Sequence, residues 1–122
     1  MTNLRPRAQG DLTFVPTSLP KNSVKVKPLD GKFTLALGEV TGHYHALLEH
    51  PDVEVFTSKE MDPAGIANAT DVWLRLKSRQ QVHHLVGETK TRDHDALWLE
   101  PGVYRMNRQF EYVYGSSQRV AD

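Results

Sequence analysis

Short runs of alternating apolar and polar residues recur along this chain, each stopped by proline, glycine or an Asp/Asn turn. Residues 11–16, 24–27, 32–37, 42–48, 53–57, 72–77, 82–86, 96–99 and 103–114 all read this way. Period-two alternation belongs to strands with one buried face, and no sustained 3.6-residue pattern competes with it. Pro16, Asp30-Gly31, His50-Pro51-Asp52, Ser78-Arg79-Gln80 and Glu100-Pro101-Gly102 punctuate the runs. Asp30-Gly31 reads as a hairpin turn between its two neighbouring strands. Residues 58–70, with Pro63, Gly65 and Asn68, read as an irregular connection with room for one helical turn, and residues 87–93 as a charged loop. About eight or nine short strands at this spacing predict an all-β domain, a small barrel or sandwich with a jelly-roll-like arrangement among the options.

The chain has 122 residues, which suits one β domain over residues 1–122 with a polar C-terminal tail at 115–122. Fifteen basic and fifteen acidic residues give a net charge of zero. That removes the general attraction to nucleic acid or to an acidic membrane surface, so neither is expected as a partner. The N-terminus has no apolar run after its basic residues, no stretch is long enough to span a bilayer, and the expected location is cytoplasmic.

Cysteine is absent, so any metal site must be built from histidine, carboxylate or water. His43 and His45 are two residues apart on an expected strand. They therefore share a face at about 6–7 Å between Cα atoms, close enough to share one ion. His83, His84 and His94 lie downstream and could close such a site. His83 and His84 are adjacent, so a strand sends them to opposite faces and only one can join. Nitrogen ligation without thiolate suits a divalent Zn, Fe, Ni, Mn or Cu ion. Three histidines plus water make an open, catalytic type of site, and a fourth closes it. Glu49 is the nearest carboxylate, as a ligand, as an acceptor orienting an imidazole, or as an exposed strand-end residue. The competing reading makes the histidines structural, hydrogen-bonded residues of a strand. His50, ahead of Pro51, is expected to face solvent.

Gln9-Gly10-Asp11, the segment Gly38-Glu39-Val40-Thr41-Gly42-His43-Tyr44-His45, and Pro101-Gly102-Val103-Tyr104-Arg105 with Arg108-Gln109-Phe110-Glu111-Tyr112 resemble one family over nearly the whole chain. It is a group of small uncharacterised bacterial and phage-encoded proteins with QGD, GEVTGHxH and PGxYxxxRQxEY motifs and a later pair of histidines. The resemblance implies His43, His45 and His94 as site residues. The first of the later pair falls here on Thr91; His84, with His83 as the alternative, supplies it if residues 85–93 are an inserted loop. The family brings no activity, so an enzyme and a binding protein both stay open. The histidine segment is also similar to the first cupin motif, but no histidine follows Pro101-Gly102 as the second cupin motif requires.

Two functions follow as expectations. One is a metal-binding protein, with a metal-dependent enzyme as its extension. The other is a non-catalytic module for a protein partner, in a phage or mobile-element setting. Edge strands make a homodimer an expected assembly. Tyr104, Phe110, Tyr112 and Tyr114 read as core packing, and Arg75, Lys77, Arg105, Arg108 and Arg119 as a solvated basic face.

Overall fold

The computed structural model describes residues 6–9, 12–37, 43–86, 91–92, 97–108, 110–113 and 116–119. The strands are β1 (Arg7–Gln9), β2 (Leu12–Pro16), β3 (Val24–Val26), β4 (Lys32–Leu37), β5 (His43–Leu48), β6 (Val53–Thr57), β7 (Val72–Leu76), β8 (Gln80–Val86), β9 (Thr91–Arg92), β10 (Leu97–Leu99), β11 (Gly102–Arg108), β12 (Phe110–Val113) and β13 (Ser116–Arg119). A 3-10 helix, Pro63–Asn68, lies between β6 and β7. All pairings between strands are antiparallel. One sheet has the order β1-β2-β11-β7-β6-β3, a second runs β10-β8-β5-β4 with β9 added to β8, and β12 and β13 form a separate hairpin.

The expected all-β fold is present as two sheets sharing one core. Leu12, Phe14, Val55, Leu74, Tyr104 and Met106 from the first sheet meet Phe33, Leu35, Leu47, Val82 and Leu99 from the second in one buried cluster. Burying these inner faces is the main stabilising term, at roughly 25 cal/mol per Å² of apolar area. Of the two architectures expected, the barrel is corrected: no strand of one sheet pairs with the other among the described residues, so the sheets are not closed. No helix of the described residues is long and apolar enough to cross a membrane.

Several local expectations change. The Asp30-Gly31 turn forms, with both residues at positive φ (53° and 75°), as a two-residue hairpin turn demands. It joins only the Leu29–Lys32 bridge, however, and β3 and β4 belong to different sheets. The turn is therefore a corner at which the chain changes sheets. The loop expected at 87–93 contributes β9, and the polar tail contributes β13, paired with β12. The run expected at 103–114 contributes β11, which pairs in the first sheet, and β12, which pairs with β13. The helical turn in the 58–70 connection is the 3-10 helix. Asp62 caps it by accepting from the Ala64 amide at 2.9 Å, and Pro63 occupies its first turn, where no amide is needed.

Arg108 is not part of a solvated face. The β4–β5 register skips Leu35, a bulge that leaves this residue's carbonyl outside the ladder. The Arg108 guanidinium donates to that carbonyl at 2.8 Å, to Ile66 O at 2.9 Å, and to Ala69 O. One cation from β11 thus satisfies the bulge and the C-terminal carbonyls of the 3-10 helix together. Tyr104, expected in the core, is buried there, and its hydroxyl donates to Glu100 O at 2.8 Å.

The outer face of the first sheet covers itself. Phe56 and Trp73 lie beneath the guanidiniums of Arg75 (5.2 Å) and Arg105 (5.9 Å). The Glu54 carboxylate accepts from Arg75 Nε at 2.7 Å and lies 3.3 Å from Lys25 Nζ. The hydrogen bond from Arg75, against the opposing cost of burial, holds its carboxyl at about 2 instead of 4.5.

Arg108→Met should cost about 2–4 kcal/mol in urea unfolding, because three carbonyls lose a charged donor. Arg108→Lys should recover only part of this, since an ammonium cannot match the planar fork. Glu54 is ionised more readily folded than unfolded, so its contribution is complete above pH 4.5 and is lost as pH falls from there toward about 2. Thermal unfolding across that window should show a shallower pH dependence in Glu54→Gln than in the wild type.

Candidate functional site

Strand pairing on the second sheet decides which histidines meet. β5 and β8 align with Ala46 opposite His83 and His45 opposite His84. Alternation then sends His45, Leu47, Val82 and His84 to the inner face. Leu47 and Val82 belong to the shared core. His45 and His84 form the next row of the same face, and both are buried, at 0% and 4% exposure. Ala36, opposite His45 on β4, is also fully buried, and its small side chain leaves room for the imidazole beside it. His84, not His83, is the histidine that faces His45; His83 is half-buried on the other side of the sheet.

The two rings stack, with centroids 4.4 Å apart and planes inclined by 16°. This geometry bears directly on metal ligation. An ion bound to an imidazole lies in the ring plane, along the nitrogen lone pair, at about 2.0–2.1 Å. Two nearly parallel planes at this separation share no such point. At least one ring must turn about its side-chain torsions before both can hold one ion.

The remaining expected residues fall as follows. His43 lies on β5, opposite Val86; its side chain is outside the described residues, as is the whole of His94. Glu49 is exposed, beyond the end of β5. His50 is exposed in its turn, where Nδ1 accepts from the Asp52 amide at 3.0 Å. Among the described residues no three His, Asp or Glu side chains gather where they could hold a metal ion. A cleft of about 260 Å³ opens elsewhere, lined by Ser58, Lys59, Met61, Gly65, Asn68, Ala69, Thr70 and Asp71, and it includes none of the histidines.

Sequence reasoning missed Ala36 as a neighbour of the pair. The bulge at Leu35 shifts the side-chain alternation within β4, so counting by twos through that strand puts Ala36 on the wrong face.

Residues 8–109 match the family described as Domain of unknown function (DUF8820), and the chain belongs to that family. No curated protein and no solved structure matches it.

Removing the buried imidazole in His45→Ala should lower unfolding stability by about 2–3 kcal/mol, while His50→Ala in its exposed turn should stay within about 0.5 kcal/mol. Parallel denaturant titrations of the two variants check the contrast.

Proposed function

We propose that this DUF8820 protein binds a divalent metal ion through histidines on the inner face of its second sheet. The observation that carries the reading is the direct cross-strand pairing of His45 and His84 inside the protein. Two imidazoles brought from separate strands into a shielded interior are a strong donor pair for Zn, Fe, Ni, Mn or Cu. The pair fits an ion once one ring has rotated out of the stack. His43, two residues before His45 on β5, and His94 are the further nitrogen donors the sequence offers. With three nitrogens and an open position, the ion would polarise a substrate oxygen or activate water; with four it would serve the fold.

A second reading has one observation of its own. Stacked, nearly parallel rings are a packing arrangement, and they suit a non-catalytic interaction module whose histidines simply fill the end of the core. The two readings separate cleanly. Protein purified without an affinity tag should carry roughly one ion per chain in elemental analysis, as the open or closed site requires. After chelation, titration with Zn should restore that stoichiometry and raise the melting temperature. His45→Ala and His84→Ala should each lose both responses. A chelated wild type that takes up no ion and melts unchanged would leave the packing reading in possession.

A further inference from the structure

The chain between β6 and β7 folds back over the ends of its own two strands. The ladder stops at the Thr57–Val72 pair, and one further step of the same register sets Ser58 opposite Asp71. Beyond that point the strands part, and the 3-10 helix closes the far side of the gap. What remains between them is the cleft of about 260 Å³. Its walls are tied down. The Lys59 carbonyl accepts from Thr57 Oγ1 at 2.7 Å, and Arg108 donates to the carbonyls of Ile66 and Ala69. Met61 packs against the shared core. A site whose walls are already ordered spares its ligand the entropic cost of ordering them.

We propose that this cleft binds a small zwitterion, a free aliphatic α-amino acid. Charge and size select it. Lys59 and Asp71 bring one charge of each sign to the lining. Arg105 donates to Asp71 Oδ1 at 2.8 Å, which fixes the carboxylate while leaving the side chain 37% exposed. A carboxylate has about four acceptor positions, so one guanidinium bond leaves room for a ligand ammonium. Among the described residues Lys59 has no carboxylate partner, and its flexible stem lets the ammonium reach a ligand carboxylate held beside Asp71. An anion alone would sit against Asp71, and a cation alone against Lys59, each facing a like charge. A neutral ligand would take water from both and pair with neither. A molecule with an ammonium and a carboxylate on the same carbon answers both. The Ser58 and Thr70 hydroxyls add neutral hydrogen-bonding groups to the lining. Gly65 keeps the apolar side open: a Cβ there would meet nothing nearer than Met61 Sδ at 3.8 Å, which leaves space for a short aliphatic side chain against Met61 and Ala69. The volume lies below the roughly 300–1,000 Å³ of sites for drug-sized ligands, as suits a single amino acid. None of the histidines lines the cleft, so the inference is independent of metal binding.

Amide NMR titration of the full chain with L-alanine, L-valine and L-leucine tests it. At least one should bind with a Kd at or below about 1 mM, with shifts centred on residues 58–71. The two half-analogues of the tightest binder, the acid without its ammonium and the amine without its carboxylate, should each bind about tenfold more weakly or worse. For leucine these are 4-methylpentanoate and 3-methylbutylamine. Gly65→Leu should fill the cleft and abolish binding while keeping the wild-type circular dichroism spectrum, since a Cβ is accepted there. Lys59→Met, at an exposed position, should weaken binding by about tenfold with the melting temperature unchanged. Absence of shifts with all three amino acids overturns the proposal. Undiminished binding in Gly65→Leu overturns it too, by putting the ligand elsewhere. An acid analogue that binds as tightly as its amino acid would make the cleft a simple anion site and overturn the zwitterion.

Discussion

Pairing Ala46 with His83 across β5 and β8 commits every neighbouring side chain to a side, because successive residues of a strand point to opposite faces. His45 and His84 go inward with Leu47 and Val82. Tyr44, Leu48 and Gln81 go outward. A slip of one residue on either strand would bring an outward-facing residue opposite an inward-facing histidine and separate the pair. The candidate site is a consequence of that one alignment. That alignment is held by the apolar residues flanking the histidines, whose burial on the wrong face would forfeit the core.

The rest of the domain holds this sheet in place. Arg108 reaches from the first sheet to the bulge of β4 and to the end of the 3-10 helix. Ile66 and Ala69 of that segment pack into the shared core. The bulge would otherwise leave a main-chain acceptor without its ladder donor, which costs on the order of 1–3 kcal/mol when buried. Supplying the donor from a guanidinium lets one side chain fix three pieces of backbone. The bulge in turn is what allows Leu35 and Ala36 both to be buried, one filling the core and the other making space beside His45.

Much of the fold was legible because its signals are local. Strands at 32–37 and 53–57 match their alternating runs to the residue, and the helical turn allowed for in the 58–70 connection is the 3-10 helix at Pro63–Asn68. What was not legible depends on partners far along the chain. Arg108 reads as a surface cation until β4 supplies a bulge for it. Asp30-Gly31 reads as a hairpin because turn chemistry is the same whether the flanking strands pair or part. The choice between His83 and His84 needs the β5–β8 register, which no spacing within either strand contains. The assembly of a histidine site was readable only as a shared face. Ring orientation, which decides ligation, is a property of the folded pair that no sequence pattern encodes.

Arg108 donates to a carbonyl 73 residues earlier in the chain, and β11 inserts between β2 and β7 in the first sheet. The sheet's centre is therefore its last large strand to be synthesised. Until it arrives, β2 and β7 have no common neighbour and the inner face of the sheet stays open to water. Contacts this distant impose a large loop-closure entropy before any stabilisation is returned, which slows folding. The nascent chain must wait, with an incomplete core, until Gly102–Arg108 has been made.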